Sequence, residues 1–327
     1  MPYPLNKGHP LTIIQYKKTK NTVLTLKPIT IDALHELQQF TQYIPARSCD
    51  YTPGNLIMWA RFMNYRYAIE QQTLFIAAKS QADPKEAAFL MPIGSLPLAS
   101  SIKLLEEHCA ATGEALRLTA VPAPYKEQIE ALLPHHTTAS LEDWSDYIYS
   151  AQSLATLKGK ALNKKRNRYN KFLAENPNHS FRRFTADDTH ETLKFLMADR
   201  DCQHNREESM RCYEQWQCMA TVRNLTRFPQ PAGLLEVDGK IAAFTLGEIF
   251  GDTLYVHIEK AGRAVVGAGE AINKMFVSDI LSQHPEVIYV NREEDLGDPG
   301  LRQVKRAYNP VEMLHRNEFI PPRENEQ

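Results

Sequence analysis

Three short stretches of this 327-residue chain carry residue types able to hold an anion and move a proton. The first is GRAVVGAGEAINKMF, where Gly267, Ala268 and Gly269 lie between a strand pattern and a helix pattern. Glycines there let the backbone turn tightly. The unpaired amides and partial positive charge of a helix start suit a phosphate, with Arg263 beside them. The same glycines also suit an ordinary strand-to-helix turn. The second stretch is TLYVHIEKA. Strand alternation sends Leu254, Val256 and Ile258 to one side and Tyr255, His257 and Glu259 to the other. Glu259 or His257 is then placed to take a proton from an amine nucleophile; the alternative is a solvated strand face. The third is VIYVNREEDLGDPGLRQVKRAYNP. An apolar strand ends in Asn291, Arg292, Glu293, Glu294 and Asp295, and Pro299 opens a helix carrying Arg302, Lys305 and Arg306, with Tyr308 just beyond. Ligands of α/β sheets bind at the carboxyl ends of strands. This cluster suits a carboxylate, a phosphate or an amine, and Tyr308 suits protonation of a leaving thiolate or ribose oxygen. Its alternative is a surface knot of salt bridges.

A fourth stretch, LKGKALNKKRNRYNKF, holds Lys158, Lys160, Lys164, Lys165, Arg166, Arg168 and Lys171 and no acid. It can neutralise phosphates of tRNA, coenzyme A or a lipid headgroup, or serve as a solvated helix face. Cys202, His204, Cys212 and Cys218 lie close in sequence but match no paired zinc-ligand spacing. No metal is expected.

The elements that must position these residues repeat. In the first half, Ile31 to Phe40 reads as a helix, and Thr52-Pro53 opens another by capping chemistry. Leu74 to Ala78 and Ala88 to Pro92 read as strands across the turn QADPKE. A helix over Leu98 to Ala111, a strand over Ala115 to Ala120 and a helix over Tyr125 to Leu133 follow. In the second half, Thr185 to Asp188 starts a helix to about Arg200, and another runs from Glu207 to Asn224. The strands GLLEV, KIAAFTLGEI and TLYVHIEKA are split by Asp238-Gly239 and Gly251-Asp252 turns. A helix over Gly269 to Gln283, the strand EVIYVN and a short helix over Pro299 to Ala307 complete it. The segment from DWSDYIYS to ENPNHSF lies between the copies, and the boundary is placed near residue 150. The first copy's counterpart of the glycine turn, MPIGSLPLASS, has Pro92 and Pro97. Proline offers no N–H, so the phosphate site is assigned to the second half.

Composition bounds the rest. Hydrophobic residues are 43% and charged residues 24%, which is ordinary for a chain with a full core. With 38 Lys+Arg against 39 Asp+Glu, the net charge of −1 offers no global steering, so an electrostatic partner must meet a local patch. Five cysteines at irregular spacing fit a reducing compartment. The first twenty residues lack the apolar run of a signal peptide, and no stretch is long enough to span a bilayer. A cytoplasmic protein with no transmembrane segment is expected.

The order meander, glycine turn, helix, strand, helix resembles that of acyl-CoA N-acyltransferases, the GNAT fold. Those enzymes carry R/Q-x-x-G-x-G/A at this turn; here Arg263 stands one position too early for it. DYTPGNLIMW, LKGKALNKKRNRYNKF and VNREEDLGDPGLRQVKRAYNP together resemble a bacterial family sharing its fold with the C-terminal catalytic domain of phosphatidylglycerol lysyltransferase, and more distantly with the Fem peptidoglycan aminoacyltransferases. The resemblance implies an α+β fold with a mixed sheet in each of two tandem GNAT-like domains, residues 1–150 without a donor site and 151–327 with it. It implies transfer of an acyl or aminoacyl group from acyl-CoA or aminoacyl-tRNA to an amine or hydroxyl of a small molecule or lipid headgroup. Donor phosphates are then expected on Gly267, Ala268 and Gly269 with Arg263, Lys164, Lys165 and Arg166. Glu259 or His257 serves as base, Arg292 and Lys305 stabilise charge, and Tyr308 protonates the leaving group. Asn291, Glu293 and Tyr255 meet the acceptor. The competing expectation is a non-catalytic module binding a nucleotide, an amino acid or tRNA.

Overall fold

The computed structural model describes residues 23–79, 86–198 and 210–322. Its strands form two sheets. The first takes β1 (Lys27–Pro28), β2 (Arg66–Glu70), β3 (Thr73–Lys79), β4 (Glu86–Leu90), β5 (Ile93–Gly94), β6 (Ala115–Pro122) and β7 (Thr137–Ser140). The second takes β8 (Asp146–Ser150), β9 (His179–Arg183), β10 (Ala232–Val237), β11 (Lys240–Phe250), β12 (Thr253–Ala261), β13 (Tyr289–Asn291) and β14 (Glu312–Leu314). The last strand, β15 (Arg316–Ile320), returns to the first sheet and lies between β6 and β7. The helices are α1 (Leu34–Gln38), α2 (Pro53–Trp59), α3 (Leu98–Thr112), α4 (Lys126–Leu132), α5 (Ala151–Thr156), α6 (Asn163–Glu175), α7 (Thr189–Met197), α8 (Met210–Asn224), α9 (Ala268–Gln283) and α10 (Pro299–Arg306).

The two sheets repeat one plan. Antiparallel β2, β3 and β4 precede α3, which crosses to β6 parallel to β4. Antiparallel β10, β11 and β12 precede α9, which crosses to β13 parallel to β12. Local chemistry explains the elements. Thr52 caps α2 by accepting from the Asn55 N–H, and Pro53 fills the first turn; such a cap contributes about 1 kcal/mol. Asp298 and Pro299 start α10 in the same way. Asp238 and Gly239 both take positive φ, the conformation a two-residue hairpin turn requires. The first sheet buries Phe75, Phe89, Leu118 and Phe319 against Leu37, Ile102, Leu105 and Ile129. The second is covered on one face by α5 and α9, and on the other by α2, α7 and α8.

Four five-residue strands are not legible as such in sequence, Arg66–Glu70, Asp146–Ser150, His179–Arg183 and the return strand Arg316–Ile320, and neither are the shorter β1, β5, β7 and β14. Asp146–Ser150 shows why. Tyr147, Ile148 and Tyr149 are all buried because both faces of β8 are covered, so no alternation marks it. The turn QADPKE and the helix starts between Arg200 and Met210 fall largely outside the described residues.

Candidate functional site

The site is set by one irregularity in β12. Along β11 and β12, Leu246 pairs with Ile258 but Gly247 pairs with Val256, so His257 is an extra residue, a β-bulge. Gly247 permits it: a Cβ there would lie 2.2 Å from the Tyr255 carbonyl oxygen. The bulge breaks the alternation expected from sequence. Val256 packs with Phe276 and Ile280 under α9, whereas Ile258 packs with Met219 and Phe244 on the opposite face. His257 and Glu259 are therefore divided between the two faces. Beyond the bulge the sheet also opens. β12 and β13 pair only at Thr253–Tyr289, Leu254–Val290 and Tyr255–Asn291, then separate.

Residues Asn291 to Glu294 fill the mouth of that opening and feed both faces. Asn291 is fixed by its amide, which donates to the Arg47 carbonyl and to Asp146, both at 2.8 Å, while its side-chain oxygen accepts the Glu293 N–H at 2.7 Å. Glu293 takes a left-handed φ of 56°. The Lys305 ammonium is buried and donates to the carbonyls of Arg292 and Glu294, stapling the turn from below. Burial holds its pKa below the ordinary lysine value.

On the α9 face, Arg292 donates to Glu259 at 2.7 Å, and Asn273 of α9 donates to the other Glu259 oxygen at 2.9 Å. The Arg292 guanidinium lies 4.6 Å from the Tyr308 ring centre, and the Lys165 ammonium lies 4.1 Å from it. Lys165 pairs with Glu270 in the first turn of α9 at 3.2 Å, and Arg168 approaches the same oxygen at 3.6 Å. Arg292 is 8% exposed, yet its Nε and Nη1 have no hydrogen-bond partner. Burial opposes the Arg292 charge, and Glu259 and the two tyrosines beside it more than restore it. Burial raises Tyr308 and lowers Lys165. Three cations (Lys165, Arg168, Arg292) stand here against two carboxylates, Glu259 and Glu270.

The opposite face is acidic. The His257 ring is held between two carboxylates, Nε2 to Glu248 at 2.8 Å and Nδ1 to Glu293 at 2.7 Å. Burial disfavours the charged ring, but these two hydrogen bonds outweigh it and push His257 up to about 10. The first turn of α2 completes the clamp: the Gly54 N–H donates to Glu248 at 2.8 Å and the Asn55 amide reaches Glu293 at 3.5 Å. A Cβ on Gly54 would collide with Glu248 at 2.4 Å. Alongside, buried Arg316 contacts Asp146, Asp50 at 2.9 Å and Glu294 at 3.4 Å. Burial pushes Asp50 up to about 6 and Glu294 up to about 7 against the pull of Arg316. Cys49, Asp146 and Glu294 converge as metal ligands would. The Arg316 guanidinium occupies their centre, 3.2 Å from the Cys49 sulfur, and serves as their cation. Burial raises the Cys49 thiol well above its ordinary value.

The residues singled out by sequence thus divide. Glu259, Arg292, Tyr308 and Lys165 meet on the α9 face; His257, Glu293 and Asn291 meet on the other, with Tyr255 buried near Cys49 and Asp146, and Lys305 holds the turn that joins them. Gly267 takes a φ of 84° and starts α9, but it is packed onto α6: a Cβ there would lie 2.9 Å from Phe172. Ala268 is buried with it, and Arg263 is exposed. Lys158, Lys160, Lys164, Arg168 and Lys171 face outward, whereas Arg166 donates to the carbonyls of Leu157 and Gly159. Cys218 lies in the core beside Leu196 and Met219, and Cys202 and His204 lie outside the described residues. Sequence reasoning overlooked Asp50, Asp146, Glu248 and Arg316, and read Glu294 only within the cluster that ends its strand. The available signal was a charge inside an apolar strand, as in DYIYS, TLGEIF and RNEFI.

The family described as phosphatidylglycerol lysyltransferase, C-terminal, matches residues 41–316. Among solved structures, the chain is similar to a conserved protein of unknown function from Bacteroides thetaiotaomicron, at 29% identity over 92% of this chain and 100% of that one, with a TM-score of 0.84. It is similar to L-PGS from Bacillus licheniformis at 14% identity, over 89% of this chain and 93% of that one, TM-score 0.63. It is also similar to the C-terminal domain of a putative lysylphosphatidylglycerol synthetase from Agrobacterium fabrum, at 13% identity over 88% and 92%, TM-score 0.60. No curated protein matches the sequence.

Proposed function

Because the chain belongs to the phosphatidylglycerol lysyltransferase C-terminal family, a transferase role follows in general terms, and we propose that it moves an aminoacyl or acyl group through the gap between β12 and β13. The observation that carries this reading is the gap itself: past Tyr255 and Asn291 the strands part, and opposite charge lines the two faces. Each sheet, with its meander and helix-bridged parallel pair, is read as a GNAT-like unit, and the donor is assigned to the second.

A phosphate-bearing donor, aminoacyl-tRNA or acyl-CoA, suits the basic face. Its phosphates would meet Lys158, Lys160, Lys164 and Arg168, which face outward; of these, Arg168 lies against Gly267 through its backbone. Cations at a helix start oppose the helix dipole and cost stability, so such a run at the head of α6, with no acid in its first turn, favours anion binding over helix stability. The unpartnered Arg292 nitrogens would meet charge developing on the acyl oxygen. The acceptor, an amine or an uncharged hydroxyl, enters from the acidic face. His257 is held charged at neutral pH and cannot accept a proton, so the base role passes to Glu293, whose carboxylate it orients. The nucleophile attacks the acyl carbon as its proton passes to Glu293. The ester or thioester bond breaks, and Tyr308, which burial keeps protonated, supplies the leaving atom's proton. Lys305 positions this turn and takes no part in the proton transfers.

The test offers the purified chain labelled aminoacyl-tRNAs and acyl-CoA thioesters with amine acceptors or phosphatidylglycerol vesicles. Label should reach an acceptor from one donor class. Glu293→Gln should slow transfer by about 100-fold or more without loss of donor binding. Absence of transfer from every donor, or unchanged rates in both Glu293→Gln and Glu259→Gln, overturns the reading.

A further inference from the structure

One cavity of about 320 Å³ opens beside the acidic face, over the first sheet. Its inner end is lined by Asp50, Glu294 and Arg316. Three buried carboxylates, Asp50, Asp146 and Glu294, share the single guanidinium of Arg316 there. The nearby Lys305 ammonium is turned to backbone carbonyls, and Arg117 is paired with Glu318 at 2.9 Å. The end therefore holds surplus negative charge. Asp50 is 8% exposed and Glu294 about one-tenth exposed along its side chain. Ser48 and Arg316 meet only the Asp50 Oδ2 oxygen, and Arg316 meets only the Glu294 Oε2 oxygen. One oxygen of each carboxylate is thus left without a hydrogen bond from any described residue. An acceptor lining a cavity can take a donor from a ligand there.

The walls are of another kind. Trp59, Tyr65 and Trp144 flank the cavity, and the cross-strand pair Ala78 and Ala88 leaves room above the sheet where larger residues would fill it. Asn55 connects the two regions, since it lines the cavity and also touches Glu293. An ammonium satisfies two or three acceptors at once, and an aromatic wall favours a cation and its flat apolar body. A volume near 320 Å³ is at the small end for a ligand site and suits one compact molecule.

We propose that this cavity binds a compact primary amine with an aromatic or apolar body, its ammonium donating to Asp50 and Glu294 and its body lying between Trp59 and Trp144. Binding stands on the cavity alone; the role of this amine as acceptor rests on the transfer reaction proposed above.

Calorimetry of the full chain with tryptamine, phenethylamine and hexylamine, and with the neutral isostere tryptophol, tests it without any donor present. At least one amine should bind, and tryptophol at least about tenfold more weakly than tryptamine, as expected when a charge-assisted contact is lost. Glu294→Gln should weaken amine binding by a similar factor and leave tryptophol unchanged. Trp144→Ala, at a half-buried wall of the cavity, should weaken both. Should Glu294→Gln not fold, the amine-to-alcohol ratio in the wild type and the Trp144→Ala result decide. Equal binding of amine and alcohol, no binding of any amine, or amine affinity untouched by Trp144→Ala overturns the site. An amine that binds as described but is never acylated by any donor leaves the site standing and removes the transfer reading.

Discussion

The two faces of the second sheet are built on the same strand, β12, and carry opposite chemistry. Toward α9, Glu259 and Glu270 are outnumbered by Arg292, Lys165 and Arg168. Toward α2, His257 and Arg316 are outnumbered by Glu248, Glu293, Glu294, Asp50 and Asp146. A regular strand would have put His257 and Glu259 on one face, two positions apart. One inserted residue separates them, and with them the places where a negative carrier and a positive partner can rest. The first sheet shows the plan without the insertion. There β4 pairs with β6 at five successive positions, from Glu86–Ala115 to Leu90–Thr119, and no gap opens.

The severest disturbance of this contrast is Arg316→Met. It leaves three buried carboxylates on the acidic face with no counter-charge, which costs about 3–5 kcal/mol, read as a lowered denaturant midpoint. His257→Gln comes next, at about 3 kcal/mol near neutral pH for a broken buried ion pair, and its effect depends on pH. An ordinary imidazole titrates near 6.5 and His257 is held near 10. Its stabilisation is complete below pH 6.5 and is lost as pH climbs through 10, so melting curves of wild type and variant should converge there. Asp50 and Glu294, raised to about 6 and about 7, act in the same direction. Each favours the fold while protonated and loses that contribution as pH rises from the ordinary carboxylate range through those values. The wild type should therefore melt lower at pH 9 than at pH 6. A melting temperature flat across that range would contradict the clamp.

Gly247→Ala tests the bulge. A methyl group 2.2 Å from the Tyr255 carbonyl must move backbone, at a cost of about 1–3 kcal/mol. Transfer activity should fall further than stability does, because the divided faces lose their register. The smallest effect belongs to Lys164→Ala. The side chain is solvent-exposed, and stability should stay within about 0.5 kcal/mol. Donor affinity should fall at low salt and the salt dependence should become shallower by about one unit of slope.

Much of the frame was readable from pattern. The Asp238-Gly239 and Gly251 turns, the capped starts of α2 and α10 and the meander before α9 all announce themselves in residue type. So does the start of α3, where Pro97 stands at the head of the helix. The basic cluster was legible as residues, since Glu259, Arg292, Lys305 and Tyr308 lie on elements close in sequence. What sequence hides is the bulge, because His257 follows Val256 like any strand residue and only its pairing with β11 reveals the extra position. The acidic cluster was hidden for another reason. Asp50 precedes α2, Asp146 begins β8 and Arg316 begins β15. Their meeting depends on how two sheets pack, to which no local spacing testifies.

The placement of β15 has a consequence for synthesis. Residues Arg316–Ile320 occupy an interior position of the first sheet, and among the described residues β7 joins that sheet only through them. The edge of β6 therefore stays uncovered until residues 316–320 have been made. A chain cut just before residue 316 should be damaged in a layer made earlier, and protease cuts in it should fall around residues 115–140.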